Sequence, residues 1–481
     1  MFTGESERPE AGPLPCMNIQ ITTRENVMEL DRSLKARHLT MISVGGVIGA
    51  GFFLGAGAAI ARTGPSVVLA YLAGGIVTLF IMVLLAEMSV AKPVSGSFEH
   101  YARIAFGPWC GFITGWTYWL AFLIGPASEA IAAGTFLNMW FPGVPVWLFC
   151  LVIASSLTVI NMVGVHFFGE VEFWLSLVKV VALLAFIVAG CYSLGLDTAS
   201  PARISNLTDN GSFFAAGIPG FLGAMLMVIF SFGGTEAIGT AAGESEDPQR
   251  DIPKTLRGTV VRILLLYVGS LTVLLFILPW QQAGTSSSPY VEATGILGGD
   301  IARNLMNFVV LTAALSCIDT GVYATSRMLH AMATERYFPA WFARLHPAHK
   351  TPNNAIFASS LVLFAGVIIA ILSPDAYVIL AGISGFGFLF TWLMIALSQP
   401  AMRQLALRDG ALLYRAPAAH IIQPVTVVLI VLVMAGQFFT DGGDITLLTV
   451  LVWLSIASTY YYFVVRKKLQ RRHTDEKSHA E

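Results

Sequence analysis

Residues 41–62 read Met-Ile-Ser-Val-Gly-Gly-Val-Ile-Gly-Ala-Gly-Phe-Phe-Leu-Gly-Ala-Gly-Ala-Ala-Ile-Ala-Arg, and the run Gly45-Gly46-Val47-Ile48-Gly49-Ala50-Gly51 within them decides the fold. The stretch carries no charge before Arg62, and a helix needs about 20 such residues to cross a hydrocarbon core. Yet it is dense in glycine, which weakens a helix and lets its backbone open. Unwound backbone at membrane depth survives only where it lines a protein or water cavity. Its exposed amides, aided by the positive end of the following half-helix, form an anion site. Its freed carbonyls accept hydrogen bonds from an ammonium group, so a zwitterion matches both.

A second stretch of the same kind, Phe230-Ser231-Phe232-Gly233-Gly234-Thr235-Glu236, lies in another apolar segment. The alternative for either is that glycine only lets helices pack closely. Two breaks, at the first and sixth spans, instead mark a five-plus-five inverted repeat with substrate at its interface. Val47, Gly49, Ala50, Gly51, Phe230, Ser231, Phe232 and Gly233 are therefore the candidate substrate site.

Working outward, apolar runs recur along the whole chain. They predict spans near 41–62, 66–90, 107–138, 146–166, 171–194, 213–238, 258–280, 303–332, 354–372, 376–398, 420–440 and 444–465. The chain has 481 residues, 56% apolar and 12% charged, with a mean hydropathy of +0.71. A soluble domain needs a more charged surface, so the class is an all-α membrane protein of about 12 helices. Its divisions are a cytoplasmic arm (1–40), a ten-helix inverted-repeat core (41–398), a cytoplasmic loop (399–419), two accessory helices (420–465) and a cytoplasmic tail (466–481). The arm lacks the apolar region of a signal peptide, which leaves the first span to serve as signal and anchor. Met17 and Met28 are alternative starts.

Charge placement orients the spans. On one face lie Arg8, Arg24, Arg32, Lys35 and Arg37, then Lys92 and Arg103, then Arg250, Lys254, Arg257 and Arg262. Arg327, Arg336, Arg344, Lys350, Arg403, Arg408 and Arg415 follow, with Arg466, Lys467, Lys468, Arg471, Arg472 and Lys477 in the tail. That face holds 24 of the 28 basic residues and the other only Arg62, Arg203 and Arg303, which predicts cytoplasmic termini. The five cysteines have no paired spacing and read as small core residues.

Ionisable groups at bilayer depth usually face the bundle interior and have partners. Lys179 sits in the fifth span with Glu172 one heptad earlier. Burial favours its neutral form, which suits proton release during transport; snorkelling to the interface is the plainer role. Glu236 follows the second break, as a protonatable group or as a cap on the next half-helix. Glu129, deep in the third span, is a proton carrier or a group bonded to backbone. Asp319 is a partner for Lys179 or for a substrate ammonium group. Glu87 reads as an interfacial charge. The mixed charges Glu246, Asp247, Arg250, Asp251 and Lys254 form solvated pairs that latch an inner gate, each worth little.

Ser33-Leu34-Lys35-Ala36-Arg37-His38-Leu39-Thr40-Met41-Ile42, running into Gly46-Val47-Ile48-Gly49-Ala50-Gly51-Phe52-Phe53, resembles the start of bacterial amino-acid permeases of the amino acid–polyamine–organocation superfamily. Ala86-Glu87-Met88, Ser95-Gly96-Ser97-Phe98, Gly115-Trp116-Thr117-Tyr118-Trp119, Glu170-Val171-Glu172-Phe173-Trp174 and Glu244-Ser245-Glu246-Asp247-Pro248 extend the likeness in order, as do Ser326-Arg327-Met328-Leu329 and Thr351-Pro352. Within the amino acid transporter family the chain looks like the γ-aminobutyrate permeases, which similarly favour Gly-Ala-Gly in the first span. The resemblance implies a LeuT-like ten-helix repeat plus two accessory helices and proton-driven uptake of an amino acid across a bacterial inner membrane. By carry-over, Gly49, Ala50 and Gly51 would hold the substrate carboxylate, and backbone near Val47, Phe230 and Ser231 its amine. Phe230 would gate the site, and Lys179 would stand in for a sodium ion. Many relatives have Ser or Thr at the place of Ala50, so a hydroxyl contact is missing here.

An enzyme is excluded by pattern: the nine histidines lie in loops, tails or helix ends, and no His-Glu-x-x-His, Gly-x-Ser-x-Gly or phosphate loop occurs. An exchanger of the same fold stays open, as does a sensor built on a carrier, though the tails are short. The expected partners are an amino acid, protons and the lipid bilayer, with no nucleic acid. No cofactor or metal is expected, the proton gradient being the driving force, and the oligomeric state is left open.

Overall fold

The first helix comes apart where its glycines crowd together. In the computed structural model, which describes residues 36–195, 202–208, 211–286, 288–372, 376–437 and 443–470, span 1 consists of Ala36–Val47, Ala50–Phe53 and Gly55–Thr63. Span 6 is likewise split, into Gly217–Phe232 and Ala237–Ala241. The first member of each five-span half is thus interrupted, while the spans between are continuous.

Span 2 is Val67–Ala91, span 3 Pro108–Trp140, span 4 Val146–Val163 and span 5 Val165–Gly195. Span 7 is Pro248–Ile277, which Asp247 caps by accepting from the Arg250 amide at 3.3 Å. Span 8 lies within Pro289–Thr334, which bends where Gly299 takes φ +70°. Asn353–Leu372, Ala376–Arg408, Ala419–Gly436 and Gly443–Tyr460 are spans 9 to 12. Ten helices of the described residues are long and apolar enough to cross a membrane. The interrupted first span and the charge-free Asn353–Leu372 complete twelve. The chain is an all-α integral membrane protein.

Burial separates core from rim. The apolar middles of spans 3 and 8 are 72% and 78% buried, whereas spans 4, 5 and 11 reach 28% and span 12 only 22%. Val188, Tyr192 and Leu265 look outward, as a lipid-facing surface requires.

Three differences from the sequence reading have physical causes. A short helix, Ser97–Phe106, joins spans 2 and 3; it carries Glu99, His100 and Arg103 and has no apolar run to betray it. Span 10 runs on to Arg408, because Met402 and Ala406 stay buried while Arg403 and Gln399 bond to Glu87. Arg327, counted above with the basic residues of the cytoplasmic face, lies inside span 8, wholly buried, with its Nε 2.9 Å from Glu244 Oε1. The arm before Ala36 and the tail after residue 470 lie outside the described residues.

Candidate functional site

The two breaks cross at their glycines. A Cβ on Gly234 would fall 2.2 Å from the Gly46 carbonyl oxygen, and Gly234 takes φ +104°, so both the contact and the backbone conformation demand glycine. At this crossing lies a small cavity of about 20 Å³. Span 1 contributes Gly46, Val47 and Gly51; span 3 Phe122, Gly125, Pro126 and Glu129; span 6 Phe230 and Gly233; span 8 Cys317; span 10 Phe388.

Of the backbone groups that the breaks release, several are taken by side chains. The Gly51 amide donates to Glu129 Oε1 at 2.7 Å. Charge-assisted bonds of this kind are among the stronger ones in proteins, about 1.5–3 kcal/mol. The Gly45 carbonyl accepts from Lys179 Nζ at 2.7 Å, and the Gly51 carbonyl from Ser231 Oγ at 3.1 Å. Tyr267 of span 7 places its hydroxyl 2.9 Å from the carbonyls of both Val47 and Ser231. A phenol has one proton for two acceptors, so at any moment one of these carbonyls remains open to another donor. Its ring is held by Phe52, stacked at 3.7 Å between centroids.

Aromatic rings shut the cavity. A Cβ on Gly51 would meet Phe230 Cε1 at 2.7 Å, and one on Gly233 would meet Phe388 Cε2 at 2.3 Å. Phe122 meets Phe388 edge-on at 5.0 Å. Phe388, Phe122 and Tyr267 were not legible in the sequence as site residues; aromatic residues are common in apolar spans, and only rotation of the helices brings these three together.

The candidate residues divide accordingly. Val47, Gly51, Phe230 and Gly233 line the cavity, and Gly49 sits at its wall, with a Cβ there 3.0 Å from Cys317 and Glu129. Ala50 begins the short helix Ala50–Phe53, and its side chain lies outside the described residues. Two candidates turn away. Ser231 directs its hydroxyl to backbone and to Tyr71, and Phe232 packs against Tyr71 and Tyr267. The reason is helical phase: the two residues that follow Phe230 rotate onto spans 2 and 7, and Gly233 comes back to the cavity.

The four buried charges are all inside the bundle; Glu129 bonds to backbone, one of the two roles read for it, while Asp319 and Glu236 have other partners than the sequence reading gave. Lys179 does not snorkel; besides Gly45 it donates to Ser316 Oγ at 2.8 Å. Asp319 meets neither Lys179 nor the cavity, accepting instead from Asn161 Nδ2 at 2.6 Å. Glu236 makes no side-chain cap to Ala237–Ala241 and folds back on the break. It accepts from the Gly234 amide at 3.3 Å and from Trp392 Nε1 at 3.1 Å. Glu87, read as interfacial, is buried and gripped by Arg403, Gln399 and the Ala416 amide. No group of three or more His, Cys, Asp or Glu arranged for a metal occurs among the described residues.

The sequence has relatives among known proteins. The family model described as Amino acid permease matches residues 38–478. A γ-aminobutyric acid permease of Bacillus subtilis is 40% identical over 444 residues, covering 91% of this chain and 94% of that protein. The aromatic amino acid transport protein AroP of Escherichia coli K12 is 36% identical over 441 residues, 90% of this chain and 96% of its own. An uncharacterized amino acid permease of Bacillus subtilis, YtnA, is 36% identical over 440 residues, 90% and 95% of the two chains.

Proposed function

The chain belongs to the amino acid permease family, and from that premise we propose that it takes up a zwitterionic amino acid, γ-aminobutyrate or a small neutral relative, together with protons. It is a carrier and not an enzyme. In this reading residues 41–398 are the transport core and 420–465 the accessory helices. The termini face the cytoplasm of a bacterium whose inner membrane holds the protein, and the core works by alternating access.

The observation that carries the proposal is the carboxylate of Glu129 on the Gly51 amide. A substrate carboxylate is the same chemical group, so it competes with Glu129 for that amide. A proton on Glu129 weakens its hold and favours the exchange, which ties loading to protonation. The substrate ammonium takes whichever carbonyl, Val47 or Ser231, the Tyr267 proton leaves open. Lys179, bonded to the Gly45 carbonyl, holds the inner part of the same break while it is charged. The rings of Phe122, Phe230 and Phe388 leave little width, which favours a slender substrate over an aromatic one.

The test is a competition panel. Purified protein in liposomes takes up labelled γ-aminobutyrate against unlabelled γ-aminobutyrate, proline, phenylalanine and lysine, with Gly51→Val as control. Competition by γ-aminobutyrate and proline, together with loss of uptake in Gly51→Val, is the expected result. Dominant competition by phenylalanine or lysine contradicts the substrate class, and wild-type uptake by Gly51→Val contradicts the site.

A further inference from the structure

Lys179, Ser316 and Glu172 form a hydrogen-bonded line through the middle of the bundle. Lys179 Nζ donates to Ser316 Oγ at 2.8 Å, and Ser316 Oγ donates in turn to Glu172 Oε1. All three side chains are wholly buried. A Cβ on Gly45 would land 1.3 Å from Glu172 Oε1, so this carboxylate packs directly on the first helix break, beside the carbonyl that Lys179 holds.

The charges facing Glu172 leave room for a proton. On its own helix stands Lys179; span 8 brings Asp319 and Cys317, and span 3 brings Glu129 beside Lys179. Span 1 presents backbone, Ser176 adds a hydroxyl, and span 4 gives Asn161 to Asp319. Arg327, beside Asp319, is already paired with Glu244. Lys179 thus faces two carboxyl groups, Glu172 and Glu129, and Asp319 adds a third beside Glu172 with no lysine of its own. Leaving an uncompensated charge at this depth is costly, so the cluster is neutral only with a proton on a carboxyl group.

We infer that Glu172 is a second proton-binding site, filled from Lys179 through the Ser316 hydroxyl; the inference rests on the reading that Lys179 couples transport to protons. In the step, a Lys179 N–H bond breaks as its proton passes to Ser316 Oγ. The Ser316 O–H bond breaks as that proton passes to Glu172 Oε1. An ammonium and a carboxylate become an amine and a carboxylic acid, the serine is regenerated, and nothing is oxidised. Neutral Lys179 keeps only an ordinary hydrogen bond to the Gly45 carbonyl in place of a charge-assisted one, which loosens the break. On the orientation proposed from the basic residues, the backbone of Glu172 stands seven residues nearer the cytoplasm than that of Lys179, and the relay shifts the proton toward that side by no more than two hydrogen-bond lengths, about 6 Å.

Glu172→Gln, Ser316→Ala, Ser316→Thr and Lys179→Ala, compared in liposomes with labelled γ-aminobutyrate, test the relay through two readouts. One is net uptake driven by an inside-alkaline pH gradient; the other is exchange against internal unlabelled γ-aminobutyrate, which moves no net protons. Glu172→Gln and Ser316→Ala are expected to lower the ratio of net uptake to exchange by roughly 100-fold, with Ser316→Thr restoring it because it keeps the hydroxyl. The relay is overturned if the wild type is gradient-driven and Lys179→Ala is not, while Glu172→Gln and Ser316→Ala keep the wild-type ratio. It is overturned equally if net uptake and exchange fall together and threonine fails to rescue, which marks a structural role. Gradient-driven uptake by Lys179→Ala equal to wild type overturns the coupling reading itself, and the relay with it.

Discussion

Three buried carboxylates in this protein are answered by backbone amides or hydroxyls: Glu129 by Gly51, Glu236 by Gly234, Glu172 by Ser316. Glu99 lies on the short helix between spans 2 and 3. It is buried, and its Oε1 has no hydrogen-bond partner among the described residues. Burial pushes its carboxyl from 4.5 up to about 8, with Arg103 opposing the shift and Glu335 adding to it. The folded state thus holds a proton that the unfolded state has already lost. That contribution to stability is complete below the unfolded value of 4.5 and is lost as pH rises through about 8. Melting temperature in detergent, followed from about pH 6 to about pH 9, should fall in the wild type and flatten in Glu99→Gln. An unchanged slope in Glu99→Gln would assign the pH dependence elsewhere. The sequence offered no sign of this burial, since Glu99 stands among Ser, His and Arg in a stretch that reads as a loop.

Helix breaks were the most legible elements, because glycine clusters in apolar runs have few other uses. What glycine content alone did not reveal is that the breaks touch. Gly234, with its left-handed φ and its contact to the Gly46 carbonyl, ties span 6 to span 1. Gly234→Ala should cost about 1–3 kcal/mol from backbone strain, with the clash added to it. The measurement is thermal unfolding in detergent alongside labelled γ-aminobutyrate uptake. A variant that melts and transports like the wild type would mean that the crossing is loose. Tyr267 acts on the same pair of elements and escaped the sequence reading for another reason. Its role depends on span 7 turning toward both breaks, which periodicity does not fix.

At the scale of the whole molecule, the apolar runs and their lengths made the twelve-span architecture readable, and relatives covering about nine-tenths of the chain belong to the same family. The rotation of each span was not readable, and with it went the partners of Asp319, Glu87 and Arg327. Two ion pairs, the buried Arg327 with Glu244 and the partly exposed Arg403 with buried Glu87, brace the end of the bundle where the basic residues gather. Breaking the Arg327–Glu244 pair costs about 3–5 kcal/mol, because one charge is left buried alone. Deeper in the bundle, the proposed site is where a substrate carboxylate competes with Glu129 for the Gly51 amide while Lys179 holds the Gly45 carbonyl of the same break. The most direct measurement of that claim is accumulation of labelled γ-aminobutyrate in liposomes under an inside-alkaline pH gradient, without internal substrate. Wild-type protein should concentrate the label while the gradient lasts, and Lys179→Ala should bind it without concentrating it. Uptake by the wild type only when unlabelled substrate is already inside would contradict the account and make the protein an exchanger.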